Sequence, residues 1–156
     1  MSALADKVEG LTAQALAGNC RAVSRLITLA ENDRAAARLL AKTLFPFTGQ
    51  AYIIGVTGPP GCGKSTLVDR LAKLLRQQGQ RLGIIAIDPS SPFSGGAILG
   101  DRIRMNDLAL DDGVFIRSMG TRGRLGGLSS AVAGAAAVFD ACGCQYILIE
   151  TVGVGQ

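Results

Sequence analysis

Residues 51–66 read AYIIGVTGPPGCGKST, an apolar run that breaks into a glycine-rich loop and closes on a lysine and two hydroxyls. The run Ala51 to Thr57 has the length and composition of a buried parallel strand. Gly58, Pro59, Pro60, Gly61, Cys62, Gly63, Lys64 and Ser65 fit G-x-x-x-x-G-K-[ST] at every fixed position. Glycines accept backbone angles that other residues resist, so successive N–H groups can turn inward around a phosphate. A helix opening at Lys64 adds its unsatisfied N–H groups and the positive end of its dipole. Lys64 is then the mobile cation for β- and γ-phosphates and Ser65 a hydroxyl ligand for Mg²⁺. Thr66 is placed to meet the α-phosphate. A strand, this loop and a helix in succession predict a P-loop site for a purine triphosphate with Mg²⁺.

Working outward, Lys64 to Gln78 is amphipathic, with Leu67, Leu71, Leu74 and Leu75 read as one face and Gly79 as a C-cap. Leu82 to Asp88, Val114 to Met119 and Gln145 to Thr151 read as further strands. Arg102 to Leu110 and Gly127 to Ala141 read as helices. Strands alternating with helices imply an α/β fold with a mostly parallel sheet flanked by helices. Upstream, residues from about 3 to 44 repeat apolar positions at helical spacing: Leu4, Val8, Leu11, Ala15 and Leu16, then Val23, Leu26, Ile27 and Ala30. Gly18-Asn19 separates the first helix from the second, and Asn32 is the expected cap of a third. The expected domains are a helical extension over 1–48 and a P-loop domain over 49–156.

Composition narrows the chemistry. The chain has 156 residues, of which 48% are hydrophobic, and a formal charge of +4. That balance suits a polyanionic small molecule. Aromatics at 4% and the absence of any run of five Lys or Arg argue against nucleic acid. There is no His, which excludes Ser–His–Asp and Cys–His chemistry within the chain. Cys20, Cys62, Cys142 and Cys144 form no C-x-x-C pair, so a structural zinc site is not expected. Their placement reads as reduced thiols in a cytoplasmic compartment. No basic-then-apolar leader and no stretch of 18 apolar residues occurs, so neither a signal peptide nor a membrane span is expected.

Two acids close predicted strands, Asp88 in LGIIAID and Glu150 in QYILIE. Parallel strands deliver side chains to a site at their carboxyl ends, and Mg²⁺ takes oxygen ligands there. Either acid is also explicable as a solvated strand end. Glu150 is followed three residues later by Gly153, whose N–H is placed to sense a γ-phosphate while the acid holds a metal-bound water. Between the second strand and Asp101 lies Pro89 to Gly100, rich in Ser, Gly and Pro and long enough to be a switch. Asp101 reads either as a residue reaching the metal when that loop closes or as an N-cap for the helix after it. Arg102, Arg104, Arg117, Arg122 and Arg124 form a loose basic group, either solvated or available to an acidic partner or to transition-state charge.

GVTGPPGCGKSTL, AIDPSSPFSGGAILGDRIRM, SMGTRGRLGGLS and ILIETVGVGQ, in that order, resemble the MeaB/ArgK family of G proteins, which includes the methylmalonic aciduria type A protein. The resemblance covers nearly the whole chain, and the second segment is its most specific part. It implies a P-loop GTPase of the SIMIBI class that binds GTP or GDP with Mg²⁺. It also implies a chaperone for an adenosylcobalamin-dependent methylmalonyl-CoA mutase, acting in cofactor loading and protection. By the same resemblance Asp88 and Asp101 flank switch I in the magnesium environment, and Glu150 with Gly153 opens switch II. Lys64, Asp101 and Glu150 are the expected catalytic residues. The family's guanine-reading motif and dimerisation region are expected downstream of Gln156, and full-length relatives are expected to be homodimers. Two alternatives stay open: an ATPase or kinase of the lysine/arginine/ornithine transport type, a label that some members of that family carry, and a nucleotide-binding module without turnover.

Overall fold

A computed structural model of the chain describes residues 3–88, 106–120 and 130–151. By contacts the chain divides into two compact units, one drawn from Met1–Ala51 and Leu128–Cys144, the other from Tyr52–Gly127 and Gln145–Gln156.

Among its described residues the second unit carries four strands, β1 (Tyr52–Val56), β2 (Leu82–Asp88), β3 (Val114–Gly120) and β4 (Tyr146–Glu150), all paired in parallel in the order β1-β4-β2-β3. The P-loop NTPase α/β architecture expected from the sequence is therefore present. β4 lies between β1 and β2, with Val56 opposite Glu150 and Glu150 in turn opposite Ala86. β1 departs from expectation. Its apolar run predicts a buried strand, yet among the described strands it stands at the edge, with Tyr52 67% and Ile53 54% exposed. An apolar run matches an interior strand and an apolar edge strand equally well, and only pairing separates the two.

Helix α4 (Lys64–Gln77) packs on this sheet through Val68, Ala72 and Leu75, which join Leu82, Ile84, Leu108, Val114 and Leu148 in one buried cluster. Of the leucine face expected, Leu75 is buried and Leu71 packs against this cluster, while Leu67 and Leu74 are 57% and 52% exposed and Val68 and Ala72 take their place. Spacing of four and three residues fits both stripes, and the smaller residues are the ones that approach the sheet. The helix ends as expected at Gly79, in a left-handed conformation with φ 78°. There Gly79 N–H donates to Arg76 O and Gln80 N–H to Leu75 O, the paired bonds of a Schellman cap. Of the predicted helix 102–110, the described part is α5 (Asn106–Ala109).

An ion-pair clasp ties the end of α4 to the turn before β3. Arg76 Nε and Nη2 donate to the two oxygens of Asp111 at 2.9 and 2.8 Å, while Nη1 donates to Gln80 O at 2.6 Å. Asp111 Oδ1 also accepts Gly113 N–H at 2.7 Å. The guanidinium lies so close to Gly113 that a Cβ there would overlap it. The Arg76 guanidinium, then the Gly113 amide, hold the Asp111 carboxyl below its usual range.

The first unit packs four helices, α1 (Ala3–Leu16), α2 (Cys20–Asn32), α3 (Arg34–Leu44) and α6 (Ser130–Ala141). Asn19 caps α2 by accepting from the N–H groups of Arg21 and Ala22. The cap of α3 is Asp33, not Asn32, with Oδ1 accepting from Ala35 and Ala36 N–H at 2.8 and 3.1 Å. Asn32 is still helical and turns its side-chain amide back to Thr28 O. Asp140, near the end of α6, accepts three consecutive amides, from Gly49, Gln50 and Ala51, at 2.6, 3.2 and 2.9 Å. One carboxylate thereby fixes the segment that leads into β1.

The clasp makes a pH-dependent contribution to stability. Asp111 has a folded pKa below its unfolded one, so the contribution is complete above the unfolded value and vanishes as pH falls through the folded value. Asp111→Asn should cost about 1 kcal/mol at neutral pH, the scale of a half-exposed charged hydrogen bond, and nothing at strongly acidic pH. Gly113→Ala, which displaces the guanidinium, should match it. Urea denaturation across that pH range checks both, and an equal penalty at acid and neutral pH would remove the ionised carboxylate as the cause.

Candidate functional site

The loop between β1 and α4 is shaped by its glycines. Gly58 has φ 150° and Gly63 φ 91°, values that L side chains rarely adopt. A Cβ on Gly58 would also come within 3.1 Å of Cys62 Sγ. Gly63 takes the N-cap position of α4 without any side-chain hydrogen bond. The first N–H groups of α4 therefore have no capping side chain and remain available to an anion.

Lys64 folds back over the loop, its Nζ donating to Gly58 O and Pro59 O, each at 2.9 Å. Two carbonyls thus hold the ammonium above the loop. Ser65 Oγ donates to Glu150 Oε1 at 2.6 Å. Glu150 is only 9% exposed, and it is one of two buried polar residues among those described. A carboxylate so placed needs partners, because desolvation of an unpaired charge is costly. The hydroxyl of Ser65 is one such partner. Thr151 continues the ladder beyond Glu150, its N–H donating to Val56 O at 3.0 Å.

The structure therefore brings together two of the residues expected at the metal, Ser65 and Glu150, which lie 85 positions apart in the chain. A hydroxyl and a carboxylate are hard oxygen donors, and Mg²⁺ characteristically takes one or two such protein ligands with phosphate oxygens and water completing its shell. The donor set fits that ion. Among the described residues no group of three His, Cys, Asp or Glu could hold a metal by itself.

Asp88 ends β2 in register with Gly120, on the same carboxyl edge of the sheet as Glu150. Its side chain lies outside the described residues. So do Asp101, Gly153, the segment Pro89 to Gly100, and Arg102, Arg104, Arg122 and Arg124. Arg117 is described, within β3. Cys62 is exposed on the loop, and Thr66 and Pro59 are exposed beside it. The two carbonyls that receive Lys64 have no counterpart in the sequence reading, since backbone acceptors leave no signature in residue type.

Known proteins share this arrangement of sequence and fold. The family model described as methylmalonyl Co-A mutase-associated GTPase MeaB matches residues 23–156. A Pyrococcus horikoshii protein with a provisional GTPase name is 59% identical over 89% of this chain and 44% of its own length. The GTPase ArgK of Escherichia coli is 40% identical over 89% of this chain and 43% of its own. A solved structure described as an LAO/AO transport system kinase superposes with a TM-score of 0.75 at 27% identity, over 99% of this chain and 45% of that one. The chain thus spans less than half the length of these relatives. No helix among the described residues is long and apolar enough to cross a membrane.

The site predicts separable effects of two substitutions. Lys64→Ala should weaken triphosphate binding by about tenfold or more, since water cannot replace a positioned ammonium between phosphates at equal cost. Ser65→Ala should leave binding without metal unchanged and abolish the increment that Mg²⁺ adds. Titration of a fluorescent triphosphate with and without Mg²⁺ reads both, and an undiminished Mg²⁺ increment in Ser65→Ala would remove Ser65 from the metal shell.

Proposed function

The chain belongs to the MeaB family of methylmalonyl-CoA mutase-associated GTPases, and from that premise we propose that it binds and hydrolyses GTP with Mg²⁺ as a G-protein chaperone of an adenosylcobalamin-dependent methylmalonyl-CoA mutase. The observation that carries the nucleotide part is the Ser65–Glu150 bond at the mouth of a complete phosphate loop. In this reading Gly58 to Thr66 wrap the phosphates with backbone N–H groups, and Lys64 leaves its carbonyl partners to meet the β- and γ-phosphates. Ser65 and Glu150, now joined by a hydrogen bond, would be the residues that hold the metal. Asp88, Asp101 and Gly153 take the remaining magnesium and γ-phosphate roles that the family resemblance implies. Magnesium, when bound, neutralises charge on the β- and γ-oxygens. Cycling between GTP and GDP would then gate cofactor loading and protection of the mutase.

One feature supports GTP over ATP and a G protein over a kinase: the family model and the similar proteins from Pyrococcus horikoshii and Escherichia coli carry GTPase names. Among the comparisons the kinase reading draws on the name of the solved relative, at 27% identity. That relative shares the fold, and its name describes that protein alone.

Competition against a bound fluorescent GTP analogue separates the two readings. GTP and GDP should displace it at least about tenfold better than ATP, a difference of about 1.4 kcal/mol. Addition of an adenosylcobalamin-dependent mutase should raise phosphate release further. Equal displacement by ATP would favour the kinase reading, and turnover indifferent to the mutase would overturn the chaperone role.

A further inference from the structure

Helix α3 carries a surface that the nucleotide site does not use. Arg34, Arg38 and Lys42 recur every four residues, and all three are exposed. At about 100° per residue they fall within roughly 80° of arc. The buried residues of the same helix, Ala36, Leu40 and Leu44, follow each of them by two positions and so face the opposite way. Phe45 continues the exposed stripe. It has helical angles, φ −46° and ψ −43°, stands three residues beyond Lys42, and is 78% exposed. The stripe Arg34–Arg38–Lys42–Phe45 thus runs straight along about 16 Å of helix. None of its three cations makes an ion pair among the described residues.

Each alternative occupant lacks something. An anionic membrane would need an exposed apolar face along α3, but that face is buried. A second copy would need a matching acidic stripe, and no described helix of this chain has three acids at four-residue spacing. A nucleic acid calls for an extended array of phosphate contacts and stacking platforms, whereas three cations ending on one phenyl ring are a short, directional pattern. Arginines beside an exposed aromatic are the composition of a protein–protein hot spot.

We propose that the α3 stripe docks an acidic helical segment of a different protein, its carboxylates spaced four residues apart against Arg34, Arg38 and Lys42 and an apolar side chain seated on Phe45. This docking is independent of the nucleotide reading, because no residue of the stripe belongs to the phosphate site.

The test uses the full chain and a labelled helical peptide with Glu at i, i+4 and i+8 and Leu at i+11, followed by fluorescence anisotropy. The peptide should bind, more weakly at high salt, and a scrambled peptide of equal composition should bind at least about tenfold less well. The triple variant R34E/R38E/K42E should lose the peptide by a similar factor and gain a version with Lys in place of Glu. Phe45→Ser should weaken binding while leaving its salt dependence unchanged. Circular dichroism and GTP-analogue binding should be unaltered in all variants. Equal binding of the scrambled peptide, indifference to charge reversal, or tighter binding of a DNA duplex or phosphatidylserine vesicles through the same residues would overturn the proposal. Stripe-dependent self-association of the chain would overturn it as well.

Discussion

Val56 and Glu150 stand opposite each other where β1 and β4 pair in parallel. From that register the candidate site follows. β1 feeds the phosphate loop, so whatever strand lies beside it delivers its last residue to the first turn of α4. Because the neighbour is β4, that residue is Glu150 and the hydroxyl it meets is Ser65. A slip of one residue would turn Glu150 to the other face of the sheet and leave the hydroxyl without it. The interior position of β4 also explains why a carboxylate only 9% exposed is tolerated, since it lies at the strand's end with a donor within 2.6 Å.

The loop and the acid are mutually satisfied in this arrangement. Lys64 is held by two carbonyls and Ser65 by a carboxylate. Neither group is left desolvated and unpaired, a condition that would cost stability. A nucleotide and its metal would replace these contacts one for one, with phosphate oxygens for the carbonyls and a cation between Ser65 and Glu150. The glycine geometry at Gly58 and Gly63 is already in place, so the backbone is organised before any ligand arrives.

Much of this is legible in the residues. The loop, its strand and its helix follow from GPPGCGKS between an apolar run and an amphipathic one, and Glu150 stands out by its place at the end of a strand. Strand order is not legible, because periodicity reports which face is apolar and not which strand is the neighbour. That is why β1 reads as an interior strand. The stripe of α4 is legible at Leu71 and Leu75 and misread at Leu67 and Leu74, which outweigh Val68 and Ala72 in hydrophobicity, while close approach to a sheet favours the smaller side chains. The cap at Asp33 lies one residue beyond the expected one for a similar reason, since Asn32 and Asp33 are both good caps, and the difference is that Asn32 still belongs to α2 while Asp33 is extended. Asp140 gives no signal at all. An acid near the end of an alanine-rich helix looks solvated, and its three amide partners lie about 90 residues upstream.

Glu150 is where the fold and the proposed chemistry meet, so its substitution bears most directly on the proposed magnesium site. Calorimetric titration of GTP into wild type and Glu150→Gln, each with and without Mg²⁺, isolates its part. Mg²⁺ should tighten GTP binding to the wild type and do so far less in Glu150→Gln, with the two proteins alike when metal is absent. An equal Mg²⁺ effect in both proteins would contradict a metal held between Ser65 and Glu150.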